Sequence, residues 1–421
     1  MQDLTTGSLS RHLLKTSSFM LVAMVFQTLY VLIDLYWVAR LGTDAVAAVA
    51  VSGNLMFIVL AATQMLGVGT TTLVSHAVGR KEHDTARLVF NQSLVLSATL
   101  GVGFLVIALA LRTTYAQSLS ADATTAALAG EYLLWFMPSL ALQFPLVAMS
   151  AALRGTGHFK PGMIVQSATI VINIILAPLL IFGWVFGVRL GIAGAAPATF
   201  FAIMVGNIWL AVYFFKPNAY LTFAPPQMPP RRHLWTEMLK VGLPAGAEFG
   251  LMAVYLVIIY AVSRPFGASA QAGFGIGMRI IQACFMPVVA LGFAVAPVAG
   301  QNFGARRPER VKQTFYVAAG MAAADMLAVF LASQVAAVPM MRVFTSEAAV
   351  ISVGEEYLRI VGTAVPVLFL SRVPGFSLRW VWLLSAVTVF AQMTLSLLLL
   401  RREFRRRLAF AGDATAPTAP V

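Results

Sequence analysis

Residues 53–76 read GNLMFIVLAATQMLGVGTTTLVSH, a stretch from Gly53 to His76 without one Asp, Glu, Lys or Arg. A buried helix in a soluble domain does not need that length, whereas a helix crossing a bilayer needs about 20 apolar residues. Comparable blocks recur at roughly 15–39, 88–111, 131–153, 162–183, 191–215, 240–263, 276–300, 311–336 and 379–400, with a weaker, shorter one at 356–371. Backbone polar groups in hydrocarbon must satisfy one another, so the blocks are predicted to be α-helices. Hydrophobic residues make up 59% of the 421 positions and charged residues 11%, against about 25% charged in soluble domains. The fold class is therefore an all-α polytopic membrane protein with ten clear spans and one short segment.

The formal net charge of +13 would suggest nucleic acid on a soluble protein. Here the basic residues sit between apolar blocks, where orientation signals belong, so no nucleic-acid partner is expected. With the N-terminus cytoplasmic, 20 of the 29 Lys and Arg fall on the inside, including the cluster Arg401, Arg402, Arg405, Arg406 and Arg407. That split follows the positive-inside rule and places both termini in the cytoplasm of a bacterial inner membrane. The apolar run from Leu13 to Val38 is too long for a signal-peptide h-region. The single cysteine, Cys284, permits no disulfide framework. His12, His76, His83, His158 and His233 are scattered, mostly in expected loops, without metal-ligand spacing. No nucleophile–base pair stands out, so neither a metal, a cofactor nor an enzyme is expected.

An internal repeat appears at an offset of 225 residues. Leu66-Gly67 through Gly79-Arg80-Lys81 lines up with Leu291-Gly292 through Gly304-Ala305-Arg306. Glu131-Tyr132-Leu133 falls on Glu356-Tyr357-Leu358, and Gly42 on Gly267. Six spans separate the copies, so both insert in the same orientation and should be related by an axis along the membrane normal, with a central cavity between them. The Pro-rich basic stretch with Pro225, Pro226, Pro229, Pro230, Arg231 and Arg232 reads as the connection between halves. The expected organisation is a six-helix N-terminal lobe at 1–215, a cytoplasmic linker at 216–239, a C-terminal lobe at 240–407 and a disordered tail at 408–421.

Several motifs resemble the multidrug and toxic compound extrusion (MATE) family, in particular its DinF-like branch. They are Leu32-Ile33-Asp34 through Val38-Ala39-Arg40-Leu41-Gly42, Leu153-Arg154-Gly155-Thr156-Gly157, Gly191-Ile192-Ala193-Gly194 through Pro197-Ala198-Thr199, Gly242-Leu243-Pro244, Gly300-Gln301-Asn302-Phe303-Gly304-Ala305, and Pro374-Gly375-Phe376-Ser377-Leu378-Arg379-Trp380. The resemblance implies two six-helix lobes around a V-shaped cavity and antiport of cationic drugs against protons or sodium. Small amphiphilic substrates and the lipid bilayer are the expected partners, and a monomer is the expected state.

An ionisable side chain in hydrocarbon costs at least about 2.5–3.5 kcal/mol on insertion scales, so each needs a reason. Asp34 is the leading candidate: a lone carboxylate in Val31-Leu32-Ile33-Asp34-Leu35-Tyr36, where the resemblance puts the family's coupling Asp. Its bland alternative is a bond to a neighbouring backbone or to Arg40. Asn173 and Thr199 match the family's N-lobe cation site. Ala177 stands where sodium-linked members often carry an Asp, so the site holds fewer hard oxygen ligands and protons are favoured over sodium. Glu248 follows Pro244 by four residues, where the family's Glu is often a turn further on, and reads equally as a buried, paired Glu. Arg279 reads as the partner of a carboxylate or a helix end. Asp325, Gln143 and Gln282 could line a cavity or bond across helices. The run Gly273, Gly275, Gly277 lacks the strand of a nucleotide loop and reads as close helix packing.

The C-terminal region departs from the family. Residues 131–215 hold three spans, whereas only 356–400 remain for their counterparts, a deficit of about 40 residues. The segment 356–371, about 24 Å as helix, falls short of the roughly 30 Å hydrocarbon core. It is expected to start and end near the outer face, as a re-entrant or surface-bound piece packed against protein, leaving 379–400 to run inward. Beside antiport, the sequence admits a lipid-linked oligosaccharide flippase of the wider superfamily, a transport-inactive truncated transporter, and a membrane hydrolase, for which catalytic residues are wanting.

Overall fold

The computed structural model describes residues 2–120, 122–184, 189–216, 219–263, 268–359 and 402. Helices α1 (Leu9–Ala39), α2 (Thr43–Gly79), α3 (His83–Leu119), α4 (Ala123–Gly155), α5 (Phe159–Phe182) and α6 (Ile192–Phe214) are followed by a short 3-10 turn at Pro225–Gln227. Then come α7 (Arg232–Ser263), α8 (Ala268–Gly304), α9 (Pro308–Arg342) and α10 (Ala348–Arg359). No strand occurs among the described residues, and eight of the described helices are long and apolar enough to cross a membrane. Helices α2, α3, α4, α8 and α9 overrun their apolar blocks at both ends, as 53–76 lies inside α2, whereas α6 stays within 191–215. Gly267, most of 356–371 and the span 379–400 with its inward orientation lie outside the described residues. The histidines correct one expectation. His12, His76, His83 and His233 belong to α1, α2, α3 and α7, leaving only His158 in a connection.

The repeat is written into the helix boundaries. Shifted by 225, α2 covers α8 from first residue to last, α3 starts where α9 starts, and α4 starts where α10 starts. Lys81 and Arg306, the non-glycine residues with positive φ among the described residues, are counterparts too, at 62° and 55°. An αL residue just past a helix end redirects the chain while its neighbours satisfy the last carbonyls: Lys81 N bonds Val78 O at 3.0 Å and Glu82 N bonds Ala77 O at 3.0 Å.

One compact unit gathers Met1–Gly250 with Gly292–Ala305. Its core is built from the inward faces of α2 to α6, with Leu66, Phe90, Leu133, Met137, Leu140, Leu210 and Phe214 fully buried. Phe90 stacks on Phe214 at 4.4 Å between ring centroids. Two buried amides on α3 fasten the basic, Pro-rich stretch to this unit. Asn91 Nδ2 donates to Thr222 O and Gln227 Oε1, and Asn91 Oδ1 accepts from Ala224 N. Gln92 Nε2 donates to Gln227 O and Pro229 O, while its Oε1 accepts from Arg231 N and Trp235 Nε1. Prolines remove backbone donors, and the α3 amides supply donors to the carbonyls left over.

The second unit contains Leu251–Leu291 and the residues from Arg306 on. Phe274, Ile280, Ala337, Met341, Val350, Tyr357 and Leu358 form its buried cluster. The glycine run on α8 serves packing. A Cβ at Gly273 would lie 2.8 Å from Val350 O, and one at Gly277 would lie 2.5 Å from Tyr357 Cδ1. Helix α9 is kinked at Ala336 (φ −118°, ψ 16°), three residues before Pro339, as expected where a proline disrupts the preceding turn.

Candidate functional site

Four helices of the first unit bring polar side chains together inside apolar surroundings. Tyr30 and Asp34 lie one turn apart on α1 and so share a face. Asn173 projects from α5, Thr199 from α6 and Tyr132 from α4. Asn173 Nδ2 donates to Thr199 Oγ1 at 2.9 Å, and Tyr30 Oη lies 3.5 Å from the same oxygen. Thr199 Oγ1 donates to Ala195 O at 3.4 Å, back along its own helix. A hydroxyl has one proton and two lone pairs, so Thr199 can receive both neighbours while donating to Ala195. Tyr132 is buried and interacts electrostatically with both Asp34 and Tyr30. Pro178 in α5 and Pro197 in α6 interrupt the backbone ladders close to Asn173 and Thr199, loosening both helices at the site.

Two oxygens remain without a hydrogen-bond partner: Asp34 Oδ1 and Asn173 Oδ1. Buried polar atoms are nearly always paired, and each exception calls for an explanation. Both orphans are acceptors, so each can take a proton, a cation or a water donor. Arg40 does not answer that demand. Its Nη2 donates to Tyr36 Oη, and its guanidinium lies 4.8 Å from the Tyr36 ring and 5.4 Å from the Trp37 ring. Trp37 in turn meets Phe182 and Trp184 edge-on. The basic group nearest to Asp34 in sequence is thus engaged with aromatic faces.

The structure joins Asn173 to Thr199 by a hydrogen bond, with Tyr30 beside them and Asp34 one turn further along α1; the remaining candidates each stand on their own helix. Gln143 is half-buried on α4, and Glu248 is exposed on α7 rather than buried and paired. Arg279 and Gln282 are exposed on α8, and Arg279 has no ion pair with another described residue. Asp325 is half-buried on α9, its Oδ2 buried without a partner and its charge felt at Cys284 on α8. No cluster of three His, Cys, Asp or Glu that could hold a metal occurs among the described residues. Sequence reading missed Tyr30 and Tyr132. The signal for Tyr30 was its place one turn before Asp34. Tyr132 stood in the repeated Glu-Tyr-Leu triplet, where it was read only as evidence of duplication.

Comparison with known proteins accords with this arrangement. The MatE family model matches residues 20–179 and 244–380. The chain is 30% identical over 308 residues to the probable multidrug resistance protein YoeA of Bacillus subtilis (strain 168), covering 71% of this chain and 65% of that protein. It is 28% identical over 368 residues to the probable multidrug resistance protein YpnP of the same organism, covering 86% of this chain and 81% of that protein. A crystal structure of a MATE protein in complex with MaL6 superposes with a TM-score of 0.83 at 24% identity, covering 94% of this chain and 98% of the other. Two matched stretches spanning both repeat copies, around a polar site held in helices, place this chain in the MatE family of membrane transporters, which are not enzymes.

Proposed function

We propose that this transporter exports small amphiphilic cations in exchange for protons, with Asp34 as the group that protons and substrate share. The observation that carries the reading is the buried Asp34 carboxyl oxygen without a partner. In hydrocarbon a neutral acid is tolerable, whereas an ionised one requires a compensating charge. A proton or a cationic substrate can supply that compensation, and each excludes the other. Such competition couples two gradients without direct contact between the transported species. Asn173 Oδ1, also unpartnered, offers a second acceptor to an incoming cation or water. Ala177 leaves the site with a single carboxylate, which supports protons over sodium. The amphiphilic substrate class follows the multidrug resistance names carried by YoeA and YpnP. Export would run outward across a bacterial inner membrane, with both termini in the cytoplasm and lobes meeting at 216–239.

The test uses purified protein in sodium-free proteoliposomes with a fluorescent lipophilic cation. A pH gradient alone should drive uptake against the dye gradient, and Asp34→Asn should abolish it while inserting normally. Strict dependence on sodium would overturn the choice of ion. No transport under any gradient would favour the transport-inactive reading.

A further inference from the structure

We propose that residues 2–6 form a latch that locks together the C-terminal ends of α2, α4 and α8, and that this latch must leave for those ends to separate. The inference does not rest on the coupling role of Asp34.

The lock site is where the two repeat copies touch. A Cβ at Gly79 would collide with the carbonyl of Gln301, and one at Gly304 with the carbonyl of His76. Shifting by 225 turns 79 into 304 and 76 into 301, so these two contacts are images of each other. A Cβ at Gly300 would collide with Ser75 Oγ, and 300 is the image of 75 itself. The pseudo-two-fold axis therefore passes between Ser75 and Gly300, and α2 crosses α8 upon it. Backbones approach this closely only where side chains are absent. A symmetric crossing of this kind is the natural pivot or closure point of a parallel-repeat transporter.

One asymmetric element is seated beside the axis. Gln2 N donates to Thr156 O at 3.0 Å, just past α4. Leu4 N donates to Gln301 Oε1 at 3.0 Å, and Asn302 Nδ2 donates to Leu4 O at 3.1 Å, both on α8. Gln301 Nε2 also donates to Gly155 O at 3.1 Å, so one side chain ties latch, α4 and α8 together. Leu4 is 0% exposed, and Gln301 and Asn302 are 1% and 0% exposed. The segment is pre-shaped by Asp3 Oδ1, which accepts from Thr5 N at 2.8 Å and Thr5 Oγ1 at 2.7 Å, the mark of an Asx turn. It leads directly into α1, the helix that carries Tyr30 and Asp34.

These contacts have the form of a reversible lock. Buried amides are well placed while the segment supplies their partners, and costly once it leaves unless water enters. Departure of the latch and hydration of the crossing are therefore one event.

The experiment is a distance measurement between spin labels at Glu82→Cys and Ala305→Cys in a Cys284→Ser background, in lipid nanodiscs. The intact chain should show one dominant short distance. Deleting residues 2–6, or placing a charge under the seam with Leu4→Asp, should raise the long-distance population at least fivefold. A synthetic peptide of residues 2–8 should restore the short distance in the deletion. Unchanged distributions in folded deletion and Leu4→Asp protein would overturn the proposal. Should the deletion fail to fold, Leu4→Asp alone decides, since the whole chain is then present.

Discussion

The two repeat copies carry the same scaffold and different chemistry. Tyr132 and Tyr357 are counterparts, each 4% exposed and set in the same Glu-Tyr-Leu triplet. In the first copy the phenol lies in the electrostatic reach of Asp34. In the second the ring stands edge-on to Phe274 at 5.2 Å and covers Gly277, whose counterpart is the buried Ser52. Tyr30 is repeated as Tyr255, but Asp34 is answered by Ile259. Duplication thus preserved the bounds of α2 in α8, the starts of the helices that follow them and the turn at Lys81 and Arg306, while the unpartnered carboxylate survives at this position in one copy only. Shape can be shared by both halves because packing depends on volume, whereas the proposed exchange needs only one titratable site.

The largest effect expected from this difference is at Asp34. Asp34→Asn should bring gradient-driven transport in proteoliposomes to background. Ile259→Asp in that variant should not restore it, because the Asn173–Thr199 pair belongs to the first copy. Restoration would show the two copies to be chemically interchangeable. Next comes the second copy's packing. Gly277→Val places a side chain against Tyr357 and should destabilise by about 1–3 kcal/mol, as overpacked sites do. Thermal unfolding in detergent should show the fall in Tm, with Tyr357→Leu recovering part of it. Ser52→Ala in the first copy removes only a bond to its own helix, Ser52 Oγ to Ala48 O at 2.8 Å, and should shift stability by about 1 kcal/mol or less.

The smallest effect concerns the caps of α4 and α10. Asp122 accepts Thr125 N at 2.8 Å and Thr125 Oγ1 at 2.9 Å, and these bonds hold its carboxyl below the ordinary range. A depressed carboxyl stabilises the fold above its unfolded value, near pH 3.9, and that contribution disappears as pH falls through the folded value. The counterpart, Glu347, accepts from Ser269 Oγ at 3.1 Å instead. Asp122→Ala should therefore lower Tm at neutral pH more than Glu347→Ala does, with the gap closing as pH falls through the folded value of the Asp122 carboxyl. Equal losses at neutral pH would mean that both acids cap alike.

Much of this organisation was legible in the sequence because bilayer thickness dictates helix length, and runs such as 53–76 record it. The start of α10 was misplaced near 356 because only apolar residues were counted. The repeat held the better answer: α4 begins at Ala123, whose image is Ala348, where α10 begins. Asp34, Asn173 and Thr199 could be picked out as polar groups in apolar blocks, yet their meeting depends on how α1, α5 and α6 pack, which no local pattern encodes. For the same reason the amides Asn91, Gln92, Gln301 and Asn302 looked like ordinary polar residues near helix ends. Most of their partners lie more than a hundred residues away, and most are backbone groups.

The central claim is that proton and substrate compete for Asp34, and the release of protons on substrate binding tests it most directly. Purified protein in weakly buffered detergent solution is held at fixed pH, a lipophilic cation is added, and proton release is followed with an indicator dye. The account predicts saturable release from the unaltered protein and none from Asp34→Asn, with binding of the cation measured in parallel. Equal release from the Asn variant would place the exchanged proton elsewhere and contradict the account.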